Sequence, residues 1–261
     1  MPKIGVKKIQ GLRTLDIDNI RAFVIRAVDY GETSKILTLF SEQKGIISVM
    51  ARGVKSPKSK KHNLISLYTE ADFELNKRND FYYLKDGIIV NSNLEIRSNI
   101  KKIYLTQMIF DLVERTIVKN EEEDNIYKLV QKTIIYLSKT DNLIRLANMF
   151  LIKYISMIGF RPILNRCVNC GENNFQRIYF SYEKGGIVCE NHFTQNSKIL
   201  DRDEYVYLNQ IFIEIFENID IINNEIDEIK IFKLIIEFIR YNTDIMMPKS
   251  YTNFIKLMGI N

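Results

Sequence analysis

All three cysteines of the chain, Cys167, Cys170 and Cys189, fall within one short stretch, and one of its two histidines, His192, follows three residues after the last. The pattern reads Cys167-Val168-Asn169-Cys170, then 18 residues, then Cys189-Glu190-Asn191-His192. Two intervening residues let both ligands of a knuckle reach one ion at tetrahedral angles, and two knuckles so separated match structural zinc sites. Between them, Ile178-Tyr179-Phe180 and Gly185-Gly186-Ile187-Val188 read as a β-hairpin with a Gly-Gly turn, which brings the knuckles together as in a zinc ribbon. Cys167, Cys170, Cys189 and His192 are therefore expected to hold one zinc ion. Four protein ligands leave no position for a substrate water, so the role is structural, in a segment too small to own a core.

Charge divides the rest of the chain. The net charge is +5, but residues 1–98 hold 17 basic and 11 acidic side chains, while residues 99–261 hold 20 and 21. The excess positive charge sits in the first third, as expected of a module that meets a polyanion. That third also reads as β-rich. Strand candidates cover 22–28, 35–40, 44–53, 67–75, 81–84 and 87–90, with turn residues between them, which suits a small barrel or sandwich. Among small barrels the OB-fold commonly grips single-stranded nucleic acid. Residues 52–61 carry Arg52, Lys55, Lys58, Lys60 and Lys61 with no acidic residue, and Ser56, Pro57 and Ser59 mark a flexible loop. With Lys35 and Lys44 these form the expected DNA-binding set, following a phosphate backbone and releasing its counterions. Tyr30, Phe40, Tyr68, Tyr82 and Tyr83 are candidates for base stacking or for core packing. His62 reads as a surface residue.

From residue 99 the apolar period becomes helical. Stripes run through Ile100, Ile103, Met108, Ile109, Leu112 and Val113, and through Ile126, Leu129, Val130, Ile134 and Leu137. A third helix, capped by Asp141 or Asn142, ends at Gly159 before Pro162. Two more are expected over 204–217 and 228–242, and a short last one after Pro248. No stretch is long and apolar enough to span a bilayer, and residues 1–18 do not read as a signal peptide. The phosphate loop, the zinc-protease helix and the hydrolase elbow are all missing from the sequence, and with His192 committed to metal only His62 is left as a histidine base. A non-enzymatic protein is expected.

Several stretches, taken in order, resemble the RecO family of bacterial recombination mediators. They are Val24-Ile25-Arg26 with Asp29-Tyr30-Gly31-Glu32, Leu37-Thr38-Leu39-Phe40 with Gly45, and Ala51-Arg52-Gly53-Val54 leading to Pro57-Lys58-Ser59. Gly159-Phe160-Arg161-Pro162, Arg166-Cys167, Cys170-Gly171 and Gly185-Gly186-Ile187-Val188-Cys189 complete the set. The resemblance departs in one ligand, since the family's usual fourth is a cysteine where His192 stands here. Residues 1–18 precede the family's usual start and are expected to be an N-terminal extension. The resemblance implies an α+β architecture: an OB-fold barrel over 19–98, and a helical bundle over 99–162 and 199–261 into which a zinc-binding element, 163–198, is inserted. It also implies a cytoplasmic, nucleoid-associated protein that binds single- and double-stranded DNA and anneals complementary strands. With RecR it would help load RecA onto DNA coated by single-strand DNA-binding protein (SSB). The helical domain would hold that protein's acidic C-terminal tail, with Arg115, Lys128, Lys132 or Arg145 as carboxylate partner. Lys101 and Lys102 are a candidate second basic patch. The alternatives are an RNA-binding or transcription-related protein with the same parts, a metal-dependent nuclease, and a zinc-stabilised protein-interaction scaffold.

Overall fold

The computed structural model describes residues 16–79, 81–117, 121–222 and 226–260. The chain folds as two compact units, one running up to Leu39 and resuming over Ile47–Ser92, the other comprising Phe40–Ile46 and the chain from Asn93.

Five strands, β1 (Asp16–Tyr30), β2 (Ser34–Ser41), β3 (Gly45–Ala51), β4 (Glu70–Arg78) and β5 (Phe81–Asn91), close into a barrel in the order β1-β2-β3-β5-β4. Alternation drives each strand. On β4, Ala71, Phe73 and Leu75 point inward while Asp72, Glu74 and Asn76 do not, as the two-residue period of a half-buried strand requires. Ile20, Ala22 and Val24 of β1, Leu37 and Leu39 of β2, and Ile47, Val49 and Ala51 of β3 fill the same interior. A short parallel ladder, Val49↔Tyr82 and Met50↔Tyr83, closes the barrel. The first strand takes in Asp16, Ile17 and Asp18, which pair with Lys77, Asn76 and Leu75; they belong to the barrel, not to an extension. Residues 1–15 of that expected extension lie outside the described residues.

The two strands expected over 81–84 and 87–90 are one. The register against β4 shifts between Glu74 and Leu75, so Lys85 bulges and the strand continues. Gly87 permits it, because a Cβ there would lie 2.9 Å from the Asp72 carbonyl oxygen.

The second unit contains α1 (Leu94–Arg97), α2 (Ile100–Thr116), α3 (Asp124–Lys139), α4 (Leu143–Met157), α5 (Arg202–Ile213), α6 (Glu228–Asn242) and α7 (Lys249–Leu257). Between α4 and α5 it inserts a sheet of β6 (Ile178–Ser181), β7 (Gly186–Cys189) and β8 (Lys198–Leu200), ordered β7-β6-β8. Helix α4 is buried along most of its length and packs against α3, α5 and α6. Asn142 occupies its cap position, but its amide reaches Asp220 Oδ1 at 2.8 Å and does not cap the helix. Helix α5 begins with a reciprocal capping box between Asp201 and Glu204. It stops at Ile213, short of the expected 217. Glu214 turns extended, and a 3-10 turn, Phe216–Asn218, buries Phe216 and stacks it on Tyr136. Burial of one aromatic ring outweighs one further turn of helix.

Candidate metal centre and nucleic-acid face

The four expected ligands converge. Cys167 and Cys189 are buried, His192 is half-buried, Cys170 is exposed, and their ligand atoms all lie within 4.8 Å of one another. Cys170 Sγ is 3.9 Å from Cys189 Sγ, and His192 Nδ1 is 3.2 Å from Cys189 Sγ and 3.8 Å from Cys167 Sγ. A tetrahedral ion with bonds of about 2.0–2.3 Å sets ligand–ligand edges of about 3.5–3.8 Å, so the donors fit one metal ion of that size. The donor set, three soft thiolates and an imidazole, suits a borderline-soft cation.

Backbone pairing assembles the knuckles. Strands β6 and β7 form the expected hairpin, Ile178↔Cys189 to Ser181↔Gly186. Along the other edge of β7, Ile163 N–H donates to the Gly185 carbonyl, Ile187 N–H to that of Ile163, and Val168 N–H to that of Ile187. That crossing carries the first knuckle to the second. It requires glycine at 186, where φ is +157° and a Cβ would lie 2.1 Å from the Ile163 carbonyl oxygen. Burial opposes ionisation of Cys167, but backbone N–H groups of Cys170, Cys189 and Asn169 outweigh it and bring the thiol down to about 6. The thiolate is the form that binds metal.

The basic set in the barrel unit is less uniform than its sequence. Residues 52–67 are a pinned series of turns, not a flexible loop. Val54, Leu64 and Ile65 enter the barrel core, and Lys55 N–H, Ser59 N–H and Ile65 N–H donate to the carbonyls of Thr33, Ser56 and Lys61. His62 is exposed, with a ring nitrogen 3.1 Å from the Ser56 carbonyl. Lys35 and Lys55 both pair with Asp29, each at 2.7 Å. Their hydrogen bonds bring the Asp29 carboxyl down to about 2. Lys61 donates to the Lys85 carbonyl. Arg52 lies over the Tyr83 ring, 4.8 Å from its centroid. Lys44 sits at the β2–β3 turn and has a partner of its own. Lys58 and Lys60 are exposed, and neither has a hydrogen bond or ion pair among the described residues.

Of the aromatic candidates, Phe40, Tyr68 and Tyr82 are buried and so cannot stack on a base, while Tyr30 is exposed. Tyr83 is half-buried and already carries Arg52 and Arg78. Phe81, which the strand pattern did not single out, is the most exposed aromatic of the barrel at 68%. In the helical unit Lys102 is buried, and its ammonium reaches Asp141 at 3.5 Å and the Ser138 carbonyl at 3.4 Å, so it forms no surface patch with Lys101. Arg145 is held by Glu228 and the Ile219 carbonyl, and Lys128 by Asp124. Arg115 is exposed and lines a groove of about 510 Å³ with Thr116, Ile158, Phe160, Thr243, Asp244, Ile245 and Met246. Lys132 is exposed on α3. No described helix is long and apolar enough to cross a membrane.

These parts define a class: an α+β protein in which an OB-like closed barrel precedes a helical unit carrying a Cys3His cluster. Two family models divide the chain in the same order, "Recombination protein O N terminal" over residues 17–93 and "Recombination protein O C terminal" over residues 97–251. The chain belongs to the RecO family of DNA repair proteins. It is 31% identical over 182 residues to the DNA repair protein RecO of Acetivibrio thermocellus, which covers 69% of this chain and 70% of that one. The like-named protein of Bacillus cereus strain AH187 is 28% identical over 189 residues, 72% of this chain and 75% of its own.

Proposed function

We propose that this protein is a non-enzymatic recombination mediator of the cytoplasm and nucleoid. It binds single- and double-stranded DNA, anneals complementary strands, and with RecR promotes RecA loading on DNA coated by SSB. The observation that carries the reading is a rigid, carboxylate-free run of turns on a closed barrel, from which Lys58 and Lys60 project unpaired among the described residues.

Annealing needs no catalytic group. Two phosphate backbones repel, cations held on a rigid surface reduce that repulsion, and base pairing then drives the reaction. Lys58 and Lys60 are the first contacts, because a phosphate displaces nothing from them but solvent and salt ions. Lys35 and Lys55 would have to exchange a carboxylate for a phosphate, with little net gain in charge neutralisation.

The Cys3His cluster holds a zinc ion as a structural clip. The chemistry it supplies is thiolate and imidazole ligation that ties 163–170 to the β6–β7 hairpin. For the acidic tail of SSB, Arg115 is the favoured carboxylate partner of the four candidates, since it borders a groove with an apolar wall of Ile158, Phe160, Ile245 and Met246, while Arg145 and Lys128 are engaged. An apolar side chain in the groove and a terminal carboxylate on Arg115 would satisfy that mode of capture.

A strand-annealing assay with complementary oligonucleotides coated by SSB tests the reading. The wild-type chain is expected to accelerate duplex formation, without cleavage when magnesium or manganese is added. No acceleration, or equal preference for RNA over DNA at fixed salt, would overturn it.

A further inference from the structure

We infer that the groove between chain segment 161–166 and the last turn of α5 binds a nucleoside monophosphate group, with Arg161 and Arg166 holding the phosphate. The site lies wholly within the helical unit, so it goes beyond the DNA reading above and does not depend on the barrel.

Two elements build the groove. Helix α4 ends in a Schellman turn: Gly159 takes φ +100°, and Phe160 N–H donates to the Ile155 carbonyl at 2.9 Å. Pro162 then keeps the chain from resuming the helix. Ile163 is hydrogen-bonded against β7, and Cys167 N–H donates to the Glu172 carbonyl at 2.7 Å. The segment that carries Arg161, Asn165 and Arg166 is therefore fixed at both ends. Opposite it, Asn209, Phe212 and Ile213 share one face of α5, at the spacing of helical neighbours. Lys153 of α4 donates to the Phe212 carbonyl at 2.8 Å, which holds that last turn in place. The cavity between the two walls is about 370 Å³.

No carboxylate lines this cavity among the described residues. By contrast, the Arg115 groove includes Asp244, and the groove beside α6 includes Asp227 and Glu237. Arg161 and Arg166 are exposed, and neither side chain has a hydrogen bond or ion pair among the described residues. Arg161 lies over the Phe212 ring, 4.9 Å from its centroid, which orients the guanidinium without neutralising it. The carboxylate that follows in sequence, Glu214, is engaged by the Asn218 amide at 2.6 Å. Two unneutralised guanidiniums offer two planar forks to an anion with several oxygens. One fork already satisfies a carboxylate, so the pair suits a phosphate monoester better than a peptide terminus. Beside the forks, Phe212 and the exposed Ile213 give an apolar wall. Asn165 and Asn209 bring amides that can both donate and accept. A nucleoside has this same mixed character, flat apolar faces with a polar edge. The volume lies near the lower end of ligand clefts, about 300–1,000 Å³, which fits one nucleotide and not a folded partner.

Such a group has two sources, a free nucleotide and the phosphorylated end of a strand, and the experiment separates them. The full chain is titrated calorimetrically with thymidine 5′-monophosphate, thymidine and inorganic phosphate. The monophosphate should bind more tightly than either of its halves. Arg161→Gln and Arg166→Gln should each weaken it roughly 10- to 150-fold, the range for a lost hydrogen bond to a charged group. Thermal melts should match wild type, because both side chains are exposed. Arg166→Lys keeps the charge but not the fork and should recover only part of the loss. Displacement of the monophosphate by a 5′-phosphorylated oligothymidylate, and not by the unphosphorylated one, identifies a strand end as the source. Displacement by neither identifies the free nucleotide. No binding at millimolar monophosphate, unchanged binding by Arg166→Gln, or equal displacement by both oligonucleotides or by an acidic peptide overturns the assignment. None of those results touches strand annealing, so the annealing assay judges the DNA reading separately.

Discussion

The barrel and the Cys3His element solve the same problem, keeping a small sheet folded, by different means. Among the described residues the barrel encloses fifteen buried apolar ones, from Ile20 to Tyr82, and it closes its edges on itself. The element's cluster has four buried members, Cys167, Tyr179, Val188 and Cys189, and two of them are expected ligands. Apolar burial at about 25 cal/mol per Å² sustains the first. The second has too little such area and, on the proposed zinc reading, relies on ligand bonds. That reading puts a metal-dependent region and a metal-independent one in a single chain, each of which can be perturbed alone.

Metal removal separates them most sharply. Chelation, or Cys170→Ser, should release the ion, whose binding in comparable sites amounts to about 10–16 kcal/mol of folding free energy. Hydrogen exchange should rise over 163–200 and stay unchanged over β1 to β5. Matching exchange in both regions would dissolve the contrast. The converse perturbation is Phe73→Ala, at a fully buried ring. It should cost about 3–5 kcal/mol in the barrel while elemental analysis finds the metal retained.

Smaller effects grade the basic surface. Lys58→Ala with Lys60→Ala should reduce the slope of log affinity against log salt by about 1.4 for single strands. Adding Lys55→Ala should reduce it less than either of those residues does, because Asp29 already neutralises Lys55. Asp29→Asn should act in the opposite sense, freeing Lys35 and Lys55 and raising single-strand affinity a few-fold at low salt. The clamp should also be insensitive to mild acid. A carboxyl lowered from 3.8 to about 2 keeps its full contribution above the unfolded value and loses it progressively as pH falls from there through about 2. A carboxylate NMR titration with a midpoint near 4 would show that the lysines are free.

What could be read from residues alone follows the range of the interaction. The cysteine spacing and the Gly-Gly hairpin are local, and β6 and β7 form where their residues indicate. The apolar stripe over 126–137 likewise marks α3. Charge is a poorer guide, because the partner of a lysine is set by the fold. Lys101 and Lys102 are alike in sequence, yet the phase of α2 turns Lys102 inward beside Thr106 and Ile109. Lys35 and Lys58 look equivalent until Asp29 is seen beside one of them. Phe81 was hidden by its neighbours: in an apolar run it reads as core, and only the buried Tyr82 next to it shows that alternation turns it outward.

The close backbone approach at Gly186 has a consequence for the proposed zinc site. The strand that carries the first knuckle is hydrogen-bonded against β7 independently of any ion, so the ligands meet at a high effective concentration before metal arrives. Less chain entropy is then lost on binding, and affinity is held up by pre-organisation. A side chain at 186 would push Ile163 away and dilute the first knuckle relative to the second. The residue that tunes how tightly the ion is gripped is thus one that never touches it.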